Sequence, residues 1–274
     1  MLMSFLSFDA ITVLVMFLGS LTLIELGRRM GKKHLDSEGR IAMTGLGAVE
    51  GAVFALIGLL IAFTLSGALQ RYDDLRTLIV QEANALRVAN DRLEMLDEPD
   101  RNQVRAHLKS YLEARLALYR ENMTFSIVDN ASVYSSDRLA TIAEIRKKLW
   151  QSAVAAGARA STTVPSSLIL PALNEVFSVA GDRAGANERH PPRIIYLMLL
   201  GLGLTGSLLA GFGMAAGRQR SFLHIAAFTT AMSLALFIIT DMEYPRQGLI
   251  TTTHFDQFLE TVLEEMKQSS KTIE

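Results

Sequence analysis

Residues 45–69 read GLGAVEGAVFALIGLLIAFTLSGAL, a run in which Glu50 is the only charged residue. An α-helix of about 20 apolar residues is long enough to cross the hydrocarbon core of a bilayer. The run therefore predicts a transmembrane helix, which ends shortly before Arg71 opens a charged segment.

Three further runs of this kind lie at Phe8–Leu26, Ile194–Ala216 and Phe222–Thr240. They account for the composition of the 274-residue chain, which is 50% hydrophobic and has a mean hydropathy of +0.25. Short loops at 27–44 and 217–221 leave room only for hairpins. We predict an all-α membrane protein with four transmembrane helices in two hairpins and an intervening helical extramembrane bundle.

The charge pattern divides the chain into four parts. Residues 1–69 form the first transmembrane hairpin, 70–192 the extramembrane bundle, 193–241 the second hairpin, and 242–274 a C-terminal helical tail. Most ionisable groups fall in the second part, which is therefore expected to face water.

Apolar residues recur at helical spacing after the second span. Leu75, Leu78, Leu86 and Leu93 follow one line, and Glu82 is the exception on it. Because the line continues directly from the span, we predict one long helix that leaves the membrane and enters water. Further helices are predicted near residues 99–123, 135–153 and 165–180, with a loop at 124–134 and no strand.

Several function classes find no support in the composition. The net charge of −1 argues against a nucleic-acid partner, and a chain without cysteine has no disulfide or thiolate site. The five histidines are scattered, without metal-ligand spacing, and no nucleophile elbow or phosphate loop is present. We therefore predict no enzyme activity, no metal and no cofactor.

A few ionisable residues near the span ends form a candidate ion or polar site. Glu50 lies inside a span, where carboxylates are costly and often functional, but it is close enough to the loop to reach water. Arg71 follows the second span. Asp241 and Glu243 follow the fourth and could attract a cation, although two carboxylates are too few for calcium and a solvated helix end is the simpler interpretation.

Small residues recur at four-residue spacing in two spans. Gly47, Gly51 and Gly58 lie toward one side of the second span, and Gly213 and Gly217 end the third. This pattern lets helix backbones approach closely. The partner helix can belong to the same chain, the simpler interpretation, or to another subunit.

One apolar line of the second span runs through Gly51, Ala55, Leu59 and Phe63. Within one chain such a line is ordinary packing. If several copies of the helix surround an axis, the same line becomes a hydrophobic constriction that controls ions by dewetting.

Four stretches, in order, resemble the bestrophins, and the chain is similar to their prokaryotic bestrophin-like relatives. They are residues 63–76 (FTLSGALQRYDDLR), 82–86 (EANAL), 190–196 (HPPRIIY) and 241–248 (DMEYPRQG). The first resembles the bestrophin segment in which a phenylalanine-bearing pore helix runs into Arg-Trp-Trp-Glu-x-Arg. The animal calcium clasp is not reproduced, so calcium gating is not carried over.

The resemblance implies a homopentamer with one central pore, lined at its neck by the second span. Counted back from Arg71, the neck positions of the family fall on Phe63, Leu59 and Ala55. The implied function is an ion channel, with anions as the favoured ions, although members of the family differ in selectivity. Its partners would be the lipid bilayer, inorganic ions and further copies of the chain.

Two questions stay open on the sequence alone. The alternative function is a non-conducting membrane scaffold or sensor whose helical domain binds a partner. We expect a multi-pass protein of the cell (inner) membrane, but its sidedness is undecided. The basic residues of the 27–44 loop favour placing that loop in the cytoplasm, whereas the resemblance implies a cytoplasmic 70–192 domain.

Overall fold

The computed structural model describes residues 8–38, 46–120, 124–126, 131–133, 136–217, 222–243 and 249–271. Eight α-helices account for most of these residues: α1 (Phe8–Glu38), α2 (Leu46–Arg92), α3 (Glu98–Arg120), α4 (Ser136–Arg159), α5 (Val164–Glu188), α6 (Arg193–Gly213), α7 (Phe222–Glu243) and α8 (Gln257–Lys271). Short 3₁₀ turns lie at Leu93–Met95, Met214–Ala216 and Thr253–Asp256. The all-α class is confirmed.

Two short strands interrupt the helices. They are β1 (Thr124–Ser126) and β2 (Ala131–Val133), which pair antiparallel with Thr124 opposite Val133. They fall in the segment 124–134, which we predicted as a loop without strands. That segment is too short for a helix of its own, and the paired strands satisfy backbone groups there.

The second predicted span and the helical pattern after it form one helix. Helix α2 runs without interruption from Leu46 to Arg92, which confirms the prediction of one long helix. It ends in the 3₁₀ turn at Leu93–Met95, and α3 begins at Glu98 with Pro99 in its first turn. Proline is tolerated there because the first helical N–H groups have no intrahelical partner.

The predicted 27–44 loop is wrong at its start, because α1 continues through the basic cluster to Glu38. Arginine and lysine are good helix formers, and Arg29 donates a hydrogen bond to Glu25 one turn earlier, at 3.1 Å. Residues 39–45 of that loop and 218–221 of the second loop lie outside the described residues.

The chain divides into two compact units. The first contains Met1–Gln70 and His190–Tyr244, and the second contains Arg71–Arg189 and Pro245–Glu274. In the first unit, α1 packs against α6 and α7. A small apolar core forms there from Met16, Tyr196, Leu199, Leu236 and Ile239.

The second unit is a helical bundle with a larger core. Its buried residues come from α2, α3, α4, α5 and α8, for example Leu86, Leu108, Leu149, Leu173 and Leu259. Helix α8, from the predicted C-terminal tail, thus contributes to the core of the bundle. Sequence periodicity had assigned that tail no packing partner.

Five described helices are long and apolar enough to cross a membrane by length and composition: α1, the first part of α2, α5, α6 and α7. Helix α5 was not among the four predicted spans. It carries Glu175, Asp182 and Arg183, and its apolar residues Leu173 and Val176 belong to the core of the second unit. The count of four spans remains a prediction.

Candidate functional site

The candidate neck residues lie along an exposed line of α2. Leu59 is 52% exposed and Phe63 67% exposed, and Ala55 is exposed as well. On the opposite side of this helix, Ile57 is buried in the first unit. The helix therefore packs the side that carries Ile57 against its own chain, and the line of Ala55, Leu59 and Phe63 stays exposed.

Gly47, Gly51 and Gly58 of α2 are exposed. A Cβ atom added at any of the three would meet no described atom within 4 Å. The simpler of our two interpretations, packing within one chain, finds no contact at these glycines among the described residues.

A different pair of glycines brings helices together in the first unit. A Cβ atom at Gly27 of α1 would overlap the carbonyl oxygen of Leu208, and one at Gly211 of α6 would overlap the carbonyl oxygen of Ile24. Only glycine allows the two backbones to approach this closely. Sequence reasoning singled out glycines of the second and third spans but missed Gly27, which Gly31 follows at the same four-residue spacing and with a similarly close contact to Phe212.

Hydroxyl groups also meet between α1 and α6. The Oγ atoms of Ser20 and Ser207 form a hydrogen bond of 2.9 Å, and Ser207 is also 2.8 Å from the carbonyl oxygen of Gly203. Both serines are buried. Such small polar residues add hydrogen bonds to a close helix contact.

Glu50 lies against the end of α6. Its Oε2 atom would be 2.8 Å from a Cβ atom added at Gly213, so this glycine makes room for the carboxylate. The Glu50 side chain is half-buried. Gly217 has another role, because its N–H donates to the carbonyl oxygen of Met214 at 3.2 Å and closes the 3₁₀ turn after α6.

The carboxylates at the end of α7 are buried. Asp241 is 2% exposed and Glu243 4% exposed, so our expectation of a solvated helix end is wrong. The whole last turn of α7, from Ile239 to Glu243, is buried. His190 lies beside this turn, with its Nδ1 atom 3.2 Å from Oε1 of Glu243.

Arg71 belongs to the second unit. It lines a cavity of about 320 Å³ together with Asp74, Gln81, Asp182 and Arg189. The two carboxylates and two guanidinium groups give this cavity a balanced charge. The four candidate polar residues thus divide, with Glu50, Asp241 and Glu243 in the first unit and Arg71 in the second.

A buried ionic cluster lies at the centre of the second unit. Glu82 is 0% exposed and binds two arginines: Arg183 Nη1 is 2.7 Å from its Oε2, and Arg115 Nε is 3.2 Å from its Oε1. Arg183 also donates to Asp256 at 2.8 Å. Two cations face two anions, so the cluster is electrically neutral.

Tyr119 completes this cluster. Its hydroxyl donates to Glu82 at 3.0 Å and accepts from Arg115, and its ring lies 3.6 Å from the Arg183 guanidinium carbon. Burial, reinforced by the negative charge of Glu82, raises the pKa of Tyr119 far above its ordinary value. The phenol therefore stays protonated and remains a donor.

The ionic cluster joins α2, α3, α5 and the turn before α8, and so serves to hold the bundle together. The one sequence signal for it was Glu82, the exception in an apolar line. Among the described residues, no group of three or more histidines or carboxylates could hold a metal ion.

Comparisons with known proteins agree with one another. A family model described as the Bestrophin-like domain matches residues 12–253. A crystal structure of a bacterial bestrophin homologue from Klebsiella pneumoniae, a variant, superposes with a TM-score of 0.69 at 13% identity, covering 95% of this chain and 98% of the other. A second structure of the Klebsiella pneumoniae homologue gives 0.68 at 14% identity, covering 93% and 96%. No curated protein matches the chain.

Proposed function

The chain belongs to the Bestrophin-like family, and from that premise we propose that five copies assemble into one ion channel in the cell (inner) membrane. Each copy contributes α2 to a central pore. Flux through it is passive and depends on no enzyme activity and no cofactor. The fold and the family support a multi-pass membrane protein, and the channel with its pentameric symmetry is the proposal.

The observation that carries the proposal is the exposed line on α2. Large apolar side chains such as Leu59 and Phe63 are uncovered although the same helix buries Ile57 against its own chain. The glycines at 47, 51 and 58, where an added Cβ atom would meet no described atom within 4 Å, offer room for the α2 helix of an adjacent copy. Both features fit a helix whose partners are further copies of itself.

The neck acts as a barrier by dewetting. A narrow ring of leucine or phenylalanine side chains offers no hydrogen bonds, so an ion must shed part of its hydration shell to pass. In a five-fold ring, Leu59 and Phe63 form the tightest part of the neck. Ala55 has a smaller side chain and makes a wider ring.

The remaining helices complete the membrane layout. We assign α1, the apolar part of α2, α6 and α7 to the bilayer and α5 to the water-facing bundle. Arg183 of α5 is buried in the ionic cluster with Glu82 and Asp256, an arrangement that is expensive inside hydrocarbon.

The proposed conduit is anion-conducting, which a reversal-potential measurement in asymmetric chloride tests directly.

Planar-bilayer recording of the purified protein tests the neck. Replacing both Leu59 and Phe63 by alanine widens the ring, and we expect a higher single-channel conductance. The matched control is Leu234→Ala on α7, because Leu234 is also 52% exposed but is assigned to the lipid-facing surface. This control should conduct like the wild type.

Three outcomes count against the proposal. Silence of both wild type and the double variant, in a preparation whose particles are pentameric by electron microscopy, removes the pore. Equal conductance of wild type and double variant removes the neck from this line. Monomeric or dimeric particles, in native-membrane cross-linking as well, favour the alternative, a non-conducting scaffold or sensor whose bundle binds a partner.

A further inference from the structure

The second unit contains a cavity of about 680 Å³ between α3, α4 and α5. This volume is typical of sites that bind small molecules. Arg115 connects the cavity with the ionic cluster, since it lines the cavity and binds Glu82. The cavity itself has no role in the proposed channel.

Aromatic side chains form one wall of the cavity, in which Phe177 and Tyr111 are buried and Trp150 is exposed. The ring of Phe177 has Tyr111 at 5.5 Å in an edge-on arrangement and Trp150 at 6.3 Å. Trp150 is 38% exposed, so a large flat surface stays open to the cavity. Flat aromatic surfaces bind flat aromatic ligands through offset stacking and apolar burial.

The charges along the cavity have one sign. Arg146 and Lys147 of α4 line it, and none of the other described residues that line it is an aspartate or glutamate. Within the described part of the chain, neither side chain forms an ion pair. The Arg146 guanidinium carbon lies 4.5 Å from the centroid of the Phe177 ring, which places a positive charge directly beside the aromatic wall.

These features complement one kind of ligand. We propose that the cavity binds a small aromatic anion, whose rings pack against the exposed Trp150 and whose carboxylate accepts hydrogen bonds from Arg146 and Lys147. An arginine already stacked on an aromatic ring is preorganised for this contact. The amide groups of Gln151 and Asn174, which also line the cavity, can orient polar substituents of the ligand.

Solvated basic residues on a helix surface are common, so charge alone would not identify a site. The difference here is that the two cations and the exposed Trp150 line one open cleft of about 680 Å³. On the same helix, Lys148 is exposed and does not line the cavity. It provides the matched comparison for the test.

The test uses 2-naphthoate and its uncharged counterpart 2-naphthamide, titrated calorimetrically into the full chain in a non-ionic detergent with empty micelles subtracted. We expect naphthoate to bind about tenfold or more tightly, because hydrogen bonds to charged groups contribute more than neutral ones. The chain has one tryptophan, so a naphthoate-dependent change in Trp150 fluorescence locates binding at the cavity.

Variants separate the site from general electrostatics. The double variant Arg146→Gln, Lys147→Gln should lose at least about tenfold in naphthoate affinity, whereas Lys148→Gln should bind like wild type. Equal affinity for the two probes, equal loss in both variants, or no binding heat would overturn the proposal. So would protection of Trp150 from iodide quenching in the ligand-free assembly, since a neighbouring copy would then fill the cavity.

Discussion

The two halves of α2 both carry large apolar side chains, but their surroundings are opposite. In the first half, Leu56, Leu59 and Phe63 are about half exposed or more, and in the second half Ile79 and Leu86 are almost completely buried. Even the charged Glu82 is buried in the second half. The second half of this continuous helix is thus buried by its own chain, whereas the first half keeps an exposed apolar side.

The difference concerns what covers an apolar surface. In the second half, α3, α4, α5 and α8 of the same chain supply the cover, and the resulting core excludes water. In the first half, the chain supplies only a small core around Met16 and Tyr196. The remaining apolar surface must be covered by lipid or by further copies of the chain, because its exposure to water is strongly unfavourable.

The largest loss of stability is expected from breaking the ionic cluster in the second half of α2. Replacing Glu82 by alanine leaves Arg115 and Arg183 buried with one carboxylate fewer. Breaking a buried ion pair in this way costs about 3–5 kcal/mol. Denaturant titration followed by the fluorescence of Trp150, which lies in the second unit, measures the free energy of unfolding.

The control for this prediction is an exposed pair in the same unit. Arg120 donates to Glu260 at 2.6 Å, but both side chains are about half exposed. Pairs of this kind contribute about 0–1 kcal/mol, so Glu260→Gln should unfold nearly like the wild type. If Glu82→Ala and Glu260→Gln have equal effects, the ionic cluster does not hold the bundle together.

The next effect compares leucines from the two halves of α2. Leu86→Ala opens a cavity in the bundle core and should lower the free energy of unfolding by about 2–5 kcal/mol. Leu59→Ala should change the free energy of unfolding little, because the Leu59 side chain is half exposed in its own chain. The same denaturant titration measures both variants, and a large loss for Leu59→Ala would mean that its partner is a stabilising packing surface and not an open pore.

Sequence reasoning predicted what periodicity and hydropathy can encode. The four apolar runs, the long α2 and the bundle helices follow directly from those patterns. The end of α1 was wrong, because a basic cluster was taken as a loop although its residues favour a helix. The hairpin β1–β2 was missed, because three-residue strands have no detectable alternation.

The ionic cluster shows where the patterns stop. Glu82 was visible as a charge in an apolar line, and Arg115 follows Leu108, Tyr111 and Leu112 at helical spacing on α3. Sequence spacing marks such positions as buried, but it cannot say that they meet, because Glu82, Arg115 and Arg183 come from three different helices. The burial of Asp241 and Glu243 was missed for the same reason.

A smaller loss of stability is expected from removing the Tyr119 hydroxyl, which belongs to the ionic cluster. Tyr119→Phe keeps the ring beside Arg183 and removes the group that bonds Glu82 and Arg115. Leaving buried polar partners unsatisfied costs about 1–3 kcal/mol, which the same unfolding measurement resolves. The matched control is Tyr111→Phe, in the same helix and core, and a loss equal to that of Tyr119→Phe would assign the effect to the core in general.

The smallest change in stability is expected from the surface ion pair between Arg159 and Asp100. Its contribution depends on pH. Arg159 binds Asp100 through two nitrogens, at 2.5 and 3.0 Å, and this hydrogen bonding holds the pKa of Asp100 below its ordinary value of 3.8. The pair therefore stabilises the fold fully above that pH, and its contribution disappears as the pH falls through the lower, folded-state pKa. Asp100→Asn should lower stability slightly at neutral pH and make its loss on acidification shallower. Arg159→Gln and the double variant should match it, since both remove one interaction; additive losses would show that the two side chains act separately.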